Sequence, residues 1–142
     1  MPLSMSTDDS VATLRRLLEG RAAVRLAYLF GSVARGEARR SCDLDVGIVF
    51  SPVPEAVELD QLVTDLEAAA GRRVDLVVLN DAPPLLTHEA IRARRLLICR
   101  DDDERVSFET RATTRYLDTA HLRRIQHFYL RERAEARRAR PA

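Results

Sequence analysis

Three apolar runs of strand length, at residues 24–30, 43–50 and 73–79, alternate with segments whose apolar residues recur every three or four positions. Short apolar runs bounded by turn residues read as buried strands, and helices between them build a layered sheet. Residues 8–20 carry Val11, Leu14, Leu17 and Leu18 at helical spacing and stop at Gly20. Residues 55–70 repeat the pattern with Ala56, Leu59, Leu62, Val63 and Leu66, and stop at Gly71. Pro83 and Pro84 suit the opening of a helix over 85–95, and residues 96–99 make a short fourth strand. A chain of 142 residues holds one such domain and has no room for a large doubly wound sheet. The expected class is therefore α/β (α+β) with a small mixed sheet.

The acidic run Asp101-Asp102-Asp103-Glu104 opens one further long helix. It could bind a metal, but N-capping and compensation of the helix dipole account for it more simply. Val106, Ala112, Tyr116, Leu117, Ala120, Ile125 and Phe128 give that helix an apolar face to about residue 130. The Arg-rich residues 131–142 are expected to fray or lie in solvent. The division is thus a single domain, 1–142, with a core at about 8–100, a C-terminal helix at about 101–130 and a tail.

Net charge is +1, which speaks against strong nucleic-acid binding through bulk electrostatics. Cys42 and Cys99 have no metal-site spacing, and free thiols in a reducing cytoplasm are a simpler expectation than a bridge. No stretch is long and apolar enough for a membrane span, and the first residues lack the order of a signal peptide. The expected location is the cytoplasm.

The chemistry concentrates in residues 31–45, GSVARGEARRSCDLD. A strand ends on Gly31-Ser32, ten residues follow, and Asp43-x-Asp45 opens the next strand. Residues two apart on a strand share a face, so Asp43 and Asp45 project together, with Gly47 continuing that face and leaving space there. Leu44, Val46, Ile48 and Phe50 form the opposite, apolar face. Asp75, on a neighbouring strand, comes within about 5 Å laterally of the pair. Crowded carboxylates repel, and a divalent cation relieves the repulsion. Oxygen donors without His or Cys suit Mg²⁺, with Mn²⁺ as a substitute, and two ions would serve phosphoryl chemistry. Ser32 is expected to cap a short helix through Gly36 whose amides bind phosphate. Arg35, Arg39 and Arg40 are candidates to neutralise phosphate charge, with solvated surface as the alternative for each. His88, His121 and His127 form no metal spacing and read as surface or helix-packing residues. Tyr116, Phe128 and Tyr129 read as core or interface residues.

The Gly31-Ser32, ten-residue, Asp43-x-Asp45 arrangement resembles the signature of the DNA polymerase β-type nucleotidyltransferase superfamily, with Asp75 fitting its third carboxylate. The small size is similar to the minimal nucleotidyltransferases (MNT), and residues 74–97 and 115–122 are similar to MNT antitoxins paired with HEPN ribonuclease toxins. The resemblance implies the polymerase β-type fold and two Mg²⁺ held by Asp43, Asp45 and Asp75. It implies a nucleotide site at Gly31, Ser32 and Arg35, with ATP as substrate. It further implies transfer of AMP to a tyrosine hydroxyl of a cognate toxin, in a complex with that toxin. Transfer to a small molecule such as an aminoglycoside, or neutralisation by binding alone, are the alternatives. Two departures stand out: Cys42 occupies a position commonly Ser, and Arg94-Arg95 falls on a turn where related antitoxins often carry Gly.

Overall fold

A computed structural model describes residues 6–34, 36 and 43–139. Helix α1 (Thr7–Glu19) starts at an N-cap, Ser6, whose side chain accepts the Asp9 amide at 3.1 Å, with Asp8 and Asp9 in its first turn. Then follow β1 (Val24–Phe30), the single turn α2 (Gly31–Ala34), β2 (Leu44–Phe50), α3 (Ala56–Ala70), β3 (Val74–Val78), α4 (Pro84–Arg92) and β4 (Arg95–Cys99). Helices α5 (Asp102–Asp118) and α6 (Ala120–Ala139) complete the chain. Pro84 stands in the first turn of α4, where a missing amide hydrogen costs nothing.

The four strands form one mixed sheet in the order β3-β2-β1-β4. Strand β1 runs antiparallel to both β2 and β4, while β2 and β3 are parallel and joined by the crossover helix α3. Alternation along β2 decides what each face becomes. Leu44, Val46, Ile48 and Phe50 enter the larger core with Val11, Leu14 and Leu18 of α1 and Leu62, Leu66 and Ala70 of α3. The opposite face packs Leu26, Tyr28 and Phe30 of β1 with Leu79, Ala90 of α4 and Phe108 of α5.

Arg100 ties the end of β4 to the start of β1. Its guanidinium donates to the carbonyls of Val24 at 3.0 Å, Leu18 at 3.2 Å, Glu19 at 2.9 Å and Arg21 at 3.1 Å. Two of those are last-turn carbonyls of α1, where Leu18 also accepts the Arg21 amide at 3.1 Å.

The C-terminal region departs from the sequence reading. The expected single helix breaks at Thr119, whose hydroxyl bonds back to the carbonyls of Arg115 and Tyr116, both at 3.1 Å. A threonine that satisfies preceding carbonyls can bend or end a helix without glycine or proline. The Arg-rich segment is helical as far as Ala139 instead of frayed, and its residues 131–138 lie exposed to solvent, as the other alternative had it. Its residues 131–139, RERAEARRA, are all good helix formers, and Glu135 stands four positions after Arg131 and three before Arg138.

Candidate active site

At the end of the sheet where β1 finishes and β2 begins, the register sets Phe30 opposite Asp45, and Asp45 opposite Asp75. Asp43 precedes β2 by one residue, two positions from Asp45, and Leu44 between them is fully buried on the other face. The three acidic residues thus project from one sheet face at one end, the outcome expected from period-two alternation. Asp43 and Asp45 are half-buried and Asp75 is exposed. Among the described residues, no three His, Cys, Asp or Glu side chains converge tightly enough to hold a metal ion as they stand. The carboxylates are aligned, with their convergence incomplete.

Gly31 explains the invitation to bind at this end. Its φ is +74°, and a Cβ placed there would fall on Oδ2 of Asp45, with Cγ at 3.0 Å. The backbone conformation and the neighbouring carboxylate therefore each demand glycine. A larger residue would evict the Asp45 side chain from the start of α2. The donor set, carboxylate oxygens beside the Gly31 backbone, fits a hard divalent cation.

Two details differ from the sequence reading, and four residues it named fall outside the described ones. Helix α2 spans Gly31–Ala34, so Ser32 is its second residue and not the one before its start. Arg35, Arg39, Arg40 and Cys42 lie outside the described residues. Gly47 does not leave open space beside the carboxylates, because a Cβ there would meet the Leu79 side chain at 2.9 Å. That glycine serves the core.

The acidic run caps a helix, as the simpler reading held. Asp101 accepts the Asp103 amide at 2.8 Å, and Asp102, Asp103 and Glu104 occupy the first turn of α5. Glu104 also pairs with Arg25 at 2.8 Å, which raises the Arg25 pKa through that hydrogen bond. His88 stacks on Tyr116 with ring centroids 3.6 Å apart, and Arg123 lies 3.7 Å from the same ring centroid. This is helix packing among α4, α5 and α6.

One network escaped the sequence. The Tyr28 hydroxyl donates to Glu109 at 3.0 Å, and Glu109 also pairs with Arg105 at 3.1 Å. Burial and the Glu109 charge push the Tyr28 phenol well above its ordinary pKa. An 81-residue separation carries no periodic signal. These residues line an open cavity of about 700 Å³ between β1, β4, α4 and α5, rimmed by Arg94.

The family described as "Polymerase beta, Nucleotidyltransferase" matches residues 12–103, which include β1, α2, β2 and β3 with all three carboxylates. The chain belongs to that family. It is a nucleotidyltransferase, and the mixed sheet is the polymerase β nucleotidyltransferase fold. Protein adenylyltransferase MntA of Thermococcus cleftensis is 36% identical over 77 residues, covering 54% of this chain and 78% of that one. Protein adenylyltransferase MntA of Shewanella oneidensis is 28% identical over 88 residues, covering 61% and 63%. Among solved structures, a toxin–antitoxin with AMP-PNP superposes with a TM-score of 0.69 at 22% identity, covering 89% of this chain and 99% of that one. A tri-AMPylated Shewanella oneidensis HEPN toxin in complex with MNT antitoxin gives 0.68 at 20% identity, covering 88% and 99%. These two likenesses speak for the nucleotidyltransferase fold.

Proposed function

We propose that this nucleotidyltransferase is an antitoxin that transfers AMP from ATP to a tyrosine hydroxyl of a cognate HEPN toxin. The observation that carries the nucleotidyl-transfer site is the register of Asp45 opposite Asp75, with the Asp45 carboxylate lodged against Gly31. Support for the protein acceptor comes from the two adenylyltransferase relatives and from the AMPylated toxin bound to an MNT antitoxin.

In the reaction, the acceptor oxygen bonds to the α-phosphorus of ATP, the bond to the bridging oxygen breaks, and pyrophosphate leaves. Mg²⁺ bound to Asp43, Asp45 and Asp75 would polarise the α-phosphate and favour ionisation of the attacking hydroxyl. Asp45 stands between Gly31 and Asp75, where its carboxylate would help hold a cation beside the reacting phosphate. Asp75 lies on the outer strand, open to solvent, where an acceptor hydroxyl can approach and hand over its proton. Gly31 and Ser32 present backbone to the phosphates, and Arg35 follows them in sequence. The chemistry is chiefly positioning and charge compensation, since phosphoryl transfer asks little covalent work of the protein.

The test is incubation with Mg²⁺, ATP and the product of the neighbouring gene, followed by intact mass of that product. A gain matching AMP that vanishes in Asp43→Ala and Asp45→Ala is expected. Neutralisation in a tight complex without mass gain would instead establish antitoxin action by binding. Modification of an aminoglycoside in place of the toxin would establish a small-molecule acceptor.

A further inference from the structure

Arg94 is the one non-glycine residue with positive φ, +54°, among the described residues. It follows the end of α4, where its amide donates to the Ile91 carbonyl at 3.0 Å. A left-handed residue after a helix is ordinarily glycine or asparagine, because a Cβ is strained there. Arginine at such a position carries backbone strain that glycine would not.

Leu29 pairs with Arg95 in the antiparallel β1–β4 ladder, so Arg94 stands level with Phe30. Phe30 in turn pairs with Asp45, and Asp45 with Asp75. One row across the sheet end therefore reads Asp75, Asp45, Phe30, Arg94. At the usual strand spacing Arg94 lies roughly 10 Å from Asp45, on the side away from Asp75. Arg94 is exposed and makes no ion pair among the described residues. It lines the cavity whose strand residues, Tyr28 and Leu96, stand on the same sheet face as Asp45. Arg105 in that lining is already paired with Glu109 at 3.1 Å and Asp102 at 3.5 Å, which leaves Arg94 as its uncompensated cation, and Thr110, Thr113 and Thr114 add hydroxyls from exposed positions on α5. The site is suited to an anion.

In-line transfer puts the attacking and leaving oxygens on opposite sides of the α-phosphorus. With the acceptor arriving beside Asp75, the leaving group points along the row toward Arg94. We infer that Arg94, together with the cavity it rims, binds the β- and γ-phosphates of the nucleoside triphosphate and holds the departing pyrophosphate. This inference rests on the nucleotidyl-transfer reading of the carboxylate row.

Arg94→Gly and Arg94→Lys separate this role from a structural one, because glycine fits the left-handed backbone without strain. Calorimetric titration of the full chain with AMP-PNP and with AMP, in Mg²⁺, reads the affinity. Arg94→Gly should weaken AMP-PNP by at least about tenfold, the loss expected for one charge-assisted contact, and leave AMP within twofold. Arg94→Lys should restore most of the AMP-PNP affinity, and Arg94→Gly should melt no lower than the parent protein. Unchanged AMP-PNP affinity in Arg94→Gly, or equal losses for AMP and AMP-PNP, would overturn the inference. Failure of the folded parent protein to bind AMP-PNP would overturn the nucleotide site itself and this inference with it. The parent titration tells the two failures apart.

Discussion

The two faces of the sheet are built from the same strands and do opposite work. Beneath α1 and α3, Leu44, Val46 and Ile48 are fully buried and Phe50 is 3% exposed. On the other face, the intervening positions carry Asp45, then Gly47 filled by Leu79, with Tyr28 beside them hydrogen-bonded to Glu109. One face is all stability, and the other begins with charge and becomes core only one pleat further in. The difference shows how a short strand supports a site: the apolar face anchors the backbone, so the acidic face can remain open and electrostatically costly. A slip of one residue would exchange the two and destroy both.

Substitutions can break that contrast. The largest effect is expected for Asp45→Asn, which should lower AMP transfer about 100- to 1,000-fold or more, the scale of one preorganised electrostatic group in a transition state. Thermal melting should hardly change, and a parallel loss of stability would show that Asp45 serves the fold. Leu66→Ala, on the other face, should do the reverse. It should cost about 2–5 kcal/mol in denaturant unfolding, with kcat/KM kept at temperatures where the variant is folded.

Gly31→Ala joins the two effects. It should cost about 1–3 kcal/mol for its positive φ and also lose transfer activity, because the new methyl displaces the Asp45 carboxylate. Retained activity would separate Gly31 from the site.

Tyr28→Phe gives the smallest change, about 0.5–1.5 kcal/mol for one hydrogen bond. Its pH signature sharpens the comparison. The folded phenol titrates above its unfolded value, so its stabilisation is complete below about pH 10. It is lost as pH rises beyond that point, since the unfolded chain releases the proton first. Unfolding free energy measured from pH 9 to 11 should fall more steeply for the parent protein than for Tyr28→Phe.

The carboxylate face was legible because its signal is local. Asp43-x-Asp45 fixes two side chains on one face by alternation alone, and the apolar run of β2 tells which face is core. Asp75 was legible as a strand residue, but its alignment with Asp45 depends on β2 and β3 pairing in parallel, which the crossover helix decides. The break at Thr119 was hidden, because threonine also occurs inside helices and the hydroxyl's back-bonding leaves no mark in composition. Gly47 misled for a similar reason: the absence of a side chain does not say whether a distant Leu79 will fill the gap.

Sequence by itself determined the strands, the helices between them, the buried face of β2 and the cluster of acids at one chain segment, since each follows from periodicity over a few residues. Only tertiary structure decided that Gly31 must yield its space to Asp45, that Tyr28 meets Glu109, and that Arg94 shares a row with the carboxylates. Those contacts join residues 14 to 81 positions apart. Their distances are set by sheet pairing and helix packing, which no short window of the chain encodes.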